Sequence, residues 1–158
     1  MSQRPGTSGL SWGVLGRFTD YVRGSGGTIT ASGGALVDET GMPSWPLTDA
    51  TGFGGGTGVL RFAGTVRFAA HFGALDLPLA DPVLAVTGAR GDLRLTTHGD
   101  SLVLAEFAWA EVPGRDGVRL WVGSEVTLAA AAVPLFGGSY PAAMPLDPLI
   151  VALSAGAD

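Results

Sequence analysis

From Thr57 to His71 the apolar side chains recur at every second position. Leu60, Phe62, Val66, Phe68 and Ala70 fall on one face, with Gly64 in step; Val59, Arg61, Ala63, Thr65, Arg67, Ala69 and His71 fall on the other. Only an extended chain sends alternate residues to opposite sides, so this stretch is β-structure with one buried face. Similar short runs follow at 83–87, 92–97, 102–109, 118–121 and 126–132. Between them stand turn formers: Gly88, Gly91, His98-Gly99-Asp100 and Pro113-Gly114-Arg115-Asp116-Gly117. The 26 glycines and 10 prolines exclude a helical bundle, since both residues break helices and mark turns. Many short strands at regular spacing predict an all-β fold, an antiparallel β-sandwich or open barrel.

One helix is expected before the strands. Ser11 stands where an N-cap belongs and Gly24 where a C′ glycine belongs, with Arg23 in the last turn. Between them Trp12, Leu15, Phe18, Thr19 and Val22 share one face at helical spacing and form a core stripe. Tyr21 falls on the flank of that stripe, placed to reach sideways into a pocket. The lead 1–9 is polar and expected to be flexible, and residues 10–154 form a single domain. Residues 38–56 read as a long irregular connection carrying Trp45 and Phe53. Such a loop is either a wall or lid for a flat ligand or a surface crossover with Trp45 between prolines.

Composition narrows the function. With 158 residues the chain buries a core without staples, and it has no cysteine, which removes disulfides, thiolate metal sites and thiol nucleophiles. The net charge is −5 and the nine cationic side chains, all arginine, form no run. Nucleic-acid binding, which needs a basic stripe, is not expected. No stretch is long and apolar enough for a transmembrane helix, and no secretory h-region precedes the domain. As written, the sequence is expected to be cytoplasmic. No Gly-x-Ser-x-Gly elbow and no dinucleotide-binding glycine motif is present, and Glu106, Glu111 and Glu125 alternate with apolar residues as solvated positions do. Catalysis is therefore not expected.

Two segments carry chemistry: Trp12–Val22, with Tyr21, and Ala69–Asp76, with His71 at a strand end. A tyrosine phenolate steered by an imidazole is a good ligand for ferric heme iron, a hard cation. Each residue also has a purely structural reading. Tyr21 can pack beside Phe18, and His71 can bond a carbonyl. His98 reads as a solvated turn residue, and Tyr140 as an anchor for the last strand.

The motifs occur in a recognisable order. Leu10-x-Trp12-Gly13-Val14 is followed by Phe18-x-x-Tyr21, then Gly64-x-Val66-x-Phe68, His71 and Gly73-Ala74-Leu75-Asp76. Asp81-Pro82, Phe136-Gly137-Gly138-Ser139-Tyr140-Pro141-Ala142 and Leu146-Asp147-Pro148 complete the series. In this the chain resembles the HtaA family, the heme-binding domain of actinobacterial iron-acquisition proteins. The resemblance implies an all-β fold with a short N-terminal helix and one ferric heme b. Its axial ligand would be Tyr21, and His71 would hydrogen-bond the phenolic oxygen. It also implies a carrier, store or relay that exchanges heme with another heme-transfer protein, and relatives placed outside the cytoplasmic membrane. Two positions depart from the family pattern: Arg17 stands where serine is common, and Ala70 replaces the glycine before the histidine. Arg17 either salt-bridges a propionate or obstructs the pocket, and Phe72 either stacks on the porphyrin edge or fills space. Arg61 and Arg67 are further candidates for the propionate rim. The alternatives are a heme-free β-sandwich interaction module and, last, a heme-processing enzyme.

Overall fold

The computed structural model describes residues 8–70, 75–115, 117–136 and 140–154, apart from the side chains of Arg17 and Arg115. Its strands are β1 (Gly9–Ser11), β2 (Thr28–Ser32), β3 (Leu36–Val37), β4 (Pro43–Asp49), β5 (Phe53–Gly54) and β6 (Thr57–Phe62). They continue with β7 (Thr65–Ala70), β8 (Leu75–Thr87), β9 (Arg90–Thr97), β10 (Asp100–Arg115), β11 (Val118–Leu128) and β12 (Leu149–Ser154). One α-helix, α1 (Gly16–Gly24), follows β1, and a 3-10 helix (Ala130–Phe136) follows β11.

Among the described residues all strand pairings are antiparallel, and the sheet closes. The order β8-β9-β10-β11-β12-β1-β4-β6 returns to β8 through the pairing of Val59 with Ala85 and Leu60 with Leu84. Of the two all-β architectures expected, the chain forms the barrel, which leaves no free edge around the ring. Leu10, Trp12, Trp45, Leu60, Leu84 and Phe107 are among its fully buried side chains.

β8 serves two sheets. Its first half pairs with β7, Thr65 opposite Ala80 through Ala70 opposite Leu75, and β7 in turn pairs with β2. Its second half closes the barrel against β6. The change of partner occurs at Asp81, whose φ of 50° kinks the strand. Asp81 donates its amide to the Gly64 carbonyl at 2.9 Å, and its carboxylate accepts the Gly64 amide at 3.0 Å. Gly64 has φ of 109°, and a Cβ there would meet the Ala35 nitrogen at 2.5 Å, so only glycine fits. This clamp sends β7 and β2 off the barrel wall as a flap. α1 packs on the flap's apolar face.

Several expectations are corrected. Ser11 does not cap the helix; it ends β1, opposite Ser44 of β4 and Ile150 of β12. The helix starts at Gly16, with extended Leu15 as its N-cap and no side-chain cap. Gly24 is its last residue, and the left-handed position falls on Gly26, φ 75°. Ser8 and Gly9 are already tied into the fold, Ser8 Oγ accepting the Ser154 amide at 2.9 Å. The 38–56 segment is no lid: β4 runs through it as a barrel strand. Trp45 is buried in the core, its Nε1 donating to the Leu79 carbonyl at 3.3 Å, and Phe53 packs edge-on to Trp109 and Trp121. The runs 118–121 and 126–132 are not two strands. β11 continues through Glu125, φ 50°, to Leu128, and Ala130–Ala132 begin the 3-10 helix.

Candidate functional site

Tyr21 lies in the last half of α1. All five residues of the expected stripe, Trp12, Leu15, Phe18, Thr19 and Val22, are buried, but Trp12 precedes the helix rather than lying on it, and Tyr21 on the flank is 50% exposed. Burial of Val22 and exposure of its neighbour follow from the 100° step between helical residues. The phenol therefore sits at the boundary between core and solvent on a rigid element.

Beneath it Phe18 fixes the helix to the flap. Its ring lies 5.3 Å from that of Phe68 on β7, 5.2 Å and edge-on from Phe136 of the 3-10 helix, and 6.4 Å from Tyr140. Phe136 and Tyr140 are 5.5 Å apart. These four aromatics join α1, the flap and the segment after the 3-10 helix in one buried cluster. Tyr140, expected to anchor the last strand, packs in this cluster instead.

The end of α1 also meets the end of β7. Gly27 donates its amide to the Val22 carbonyl at 2.8 Å. A Cβ on Gly27 would lie 2.3 Å from the Ala69 carbonyl oxygen, 2.7 Å from that of Val22 and 2.8 Å from the Ala70 Cβ. Val22 follows Tyr21, and Ala70 precedes His71. The backbone thus brings the neighbours of the two expected site residues to either side of one glycine.

His71 and Phe72 themselves lie outside the described residues, as does the side chain of Arg17. Arg67 stands on the outer face of β7 opposite Pro78, where its Nε and Nη2 each donate to the Asp76 carboxylate at 2.6 Å. That hydrogen bond and charge hold the Asp76 carboxyl below the usual carboxylate range and push the Arg67 guanidinium up. Arg61 is elsewhere, on the barrel wall, with its strand neighbour Asp49 across the β4–β6 ladder.

The sequence offered no signal for the part played by His98. It occupies the β9–β10 turn with φ of 50°, and its Nε2 donates to the Asp76 carbonyl at 2.9 Å. One position in the turn and one near the start of β8, 22 residues apart, meet only once the β8–β9 register is known.

A groove of about 570 Å³ lies on the far side of the helix end, lined by Arg23, Thr28, Thr30, Asp38, Glu39 and Gly41 among others. Arg23 Nη2 donates to the Gly41 carbonyl at 3.2 Å. The Asp38 carboxylate accepts from the Thr40 hydroxyl at 2.6 Å and from the Thr40 and Met42 amides at 2.9 Å, which holds it below its ordinary range. The lining is of mixed charge and includes Ile29 and Val37, and Tyr21 is not part of it. Among the described residues, no helix is long and apolar enough to cross a membrane.

Comparison with known proteins agrees with this fold. The HtaA family model matches residues 7–152. The solved C-terminal domain of HtaA from Corynebacterium glutamicum aligns with a TM-score of 0.75 at 22% identity, covering 94% of this chain and 96% of that domain. The N-terminal domain of the same protein gives 0.71 at 22% identity, covering 94% and 98%. The heme binding protein HtaB from Corynebacterium glutamicum gives 0.65 at 20% identity, covering 94% and 93%. At these identities the likeness is one of fold. No curated protein matches the sequence.

Proposed function

The chain belongs to the HtaA family, and from that membership and the site geometry we propose that it binds ferric heme b through Tyr21. The observation that carries the reading is the half-exposed phenol of Tyr21 on a helix pinned, through Phe18 and Gly27, to the strand that ends one residue before His71.

The Tyr21 phenol is an oxygen donor of the kind ferric iron takes, and its helix is held in place by Phe18, which packs in a buried aromatic cluster with Phe68, Phe136 and Tyr140. Heme supplies a hard ferric centre, which favours the anionic phenolate over the phenol. A free tyrosine titrates near 10, so a base that takes or shares its proton is needed near neutral pH. His71 is assigned that role, orienting the phenolate and tuning its basicity. Arg17 is assigned to a propionate. Arg67 would share its guanidinium between Asp76 and a propionate, and Phe72 would meet the porphyrin edge.

A ligand set of this kind suits a carrier, store or relay. The hard phenolate loses its advantage on reduction to ferrous iron, so release can be coupled to reduction or to handover to another heme-transfer protein. Hemin titration of the purified protein is the test. It is expected to give a saturable absorption band with a high-spin charge-transfer feature, which Tyr21→Phe abolishes or shifts. A spectrum unchanged by Tyr21→Phe removes Tyr21 as the ligand.

A further inference from the structure

The outer wall of the barrel is uneven in charge. Trp121, Val151, Leu10 and Trp45 stand side by side across β11, β12, β1 and β4, and all four are buried. The residues before and after each of them in its strand therefore face outward. One outward row runs Ala110, Val122, Ile150, Ser11, Ser44 and Leu36, from β10 across to β3. The next runs Val112, Leu120, Ala152, Gly9 and Pro46. Neither row contains a charged residue. Ile150, inside the first row, is 46% exposed, and Leu36 at its end 45%. The wall across the ring differs: Arg94 and Asp92 pair on β9 at 3.0 Å, and Arg61 on β6 is exposed. A single exposed apolar side chain is ordinary, whereas a contiguous apolar face marks a contact surface.

We propose that a second copy of this chain docks on the uncharged face, the two barrels packing sheet against sheet about a two-fold axis. Charge selects the occupant. The chain carries a net charge of −5, so two copies repel wherever their carboxylates meet, and on these two rows they approach with none between them. A lipid surface fits less well, because the chain has no lysine and neither row supplies an arginine for a headgroup phosphate. The face is also self-complementary, as a two-fold contact requires. Bulky Leu120, Val122 and Ile150 stand beside the low Gly9, Ser11 and Ser44, so the ridge of one copy meets the furrow of the other. From β10 to β4 the strands lie about 4.8 Å apart, and Ser124, Val122, Leu120 and Val118 follow one another along β11 at about 6.8 Å. The face is thus roughly 20 Å by 20 Å, and the contact buries about 800 Å² over both copies. That is the size of a transient contact, weaker than the micromolar limit of larger interfaces, with a dissociation constant on the order of 100 μM.

Sedimentation equilibrium of the full chain without hemin tests this apart from the heme reading. Between about 10 μM and about 1 mM protein, monomer is expected to give way to dimer. Ile150→Glu places a carboxylate on each side of the contact and should weaken association at least about 100-fold, leaving monomer throughout. Ile150→Thr keeps a β-branched strand former and should weaken it about tenfold, which reads the side chain even where glutamate disturbs folding. Thr87→Glu adds the same charge on β8, across the ring from β12, and should leave association unchanged. Urea midpoints equal to that of wild type show that each variant is folded. Raising salt from about 20 mM to about 500 mM should tighten association a few-fold, because it screens the repulsion between two acidic chains. The inference is overturned if wild type stays monomeric throughout, if folded Ile150→Glu or Ile150→Thr dimerises like wild type, if Thr87→Glu dissociates the dimer, or if salt does. A wild-type monomer that sediments with phosphatidylcholine vesicles overturns it in favour of lipid as the occupant.

Discussion

Adding a single methyl group at Gly27 should wedge the helix away from the flap. The new Cβ would stand 2.3 Å from the Ala69 carbonyl oxygen, 2.7 Å from the Val22 carbonyl oxygen and 2.8 Å from the Ala70 Cβ. Two of these obstacles are backbone atoms, and the Cβ belongs to a buried residue, so no flexible side chain can swing aside. Relief requires the chain at 22–27 to part from β7 by roughly 1 Å, at the cost of overpacking, about 1–3 kcal/mol. For a chain of this size that lowers the melting temperature by about 2–4 °C per kcal/mol. Gly24→Ala is the control: nothing lies within 4 Å of its Cβ. At the end of a helix this exchange should be neutral or stabilise by up to about 1 kcal/mol. Urea unfolding followed by tryptophan fluorescence measures both, with the midpoint shifted and the slope unchanged. Hemin affinity should fall in Gly27→Ala by more than the fraction unfolded explains, because Tyr21 and the end of β7 move apart. The reasoning is refuted if Gly27→Ala is as stable as wild type to within about 0.5 kcal/mol and binds hemin equally well.

Other outcomes follow from the same contacts. Trp45→Ala removes a fully buried ring and its hydrogen bond to Leu79, and should cost about 3–5 kcal/mol in urea unfolding. Phe18→Ala should destabilise by a comparable amount, about 3–5 kcal/mol, and weaken hemin binding, because the ring joins α1, β7 and the 3-10 helix. Asp76 is held below its ordinary range by Arg67, so its contribution is complete above the unfolded value near 4 and is lost as pH falls through the native value. Asp76→Asn should accordingly flatten part of the fall in the urea midpoint between about pH 5 and pH 2, the remaining slope coming from groups such as Asp38, Asp49 and Glu111 whose carboxyls are also held low.

Alternation and helical spacing made most of the core legible. The buried faces of β6 and β7 were read residue by residue, and so was the stripe Leu15, Phe18, Thr19, Val22, because each periodicity follows from local backbone geometry. What stayed hidden depends on pairing over long sequence distances. β1 has three residues, too few to show a period, and its place between β4 and β12 comes from the chain's two ends meeting. Pro43 and Pro46 disguised β4 as a loop, since proline lacks the ladder donor. The part of β8 before Asp81 was not read as a strand and β11 was read as two runs, whereas in the fold Asp81 and Glu125 take φ of 50° and the strands run on. Closure into a barrel rather than a sandwich follows from the β6–β8 pairing, which no local pattern encodes. At the candidate site, Tyr21 was legible as a flank residue from its helical angle. The clasp of Arg67 and His98 on Asp76 was not, because it joins the flap to the β9–β10 turn across the end of a ladder.

Resonance Raman spectroscopy of the ferric hemin complex addresses the iron–oxygen bond itself. Excitation near the charge-transfer feature should show tyrosinate vibrations in the wild-type protein and lose them in Tyr21→Phe. Tyrosinate vibrations that persist in Tyr21→Phe, or a wild-type complex that has none, would contradict ligation by Tyr21.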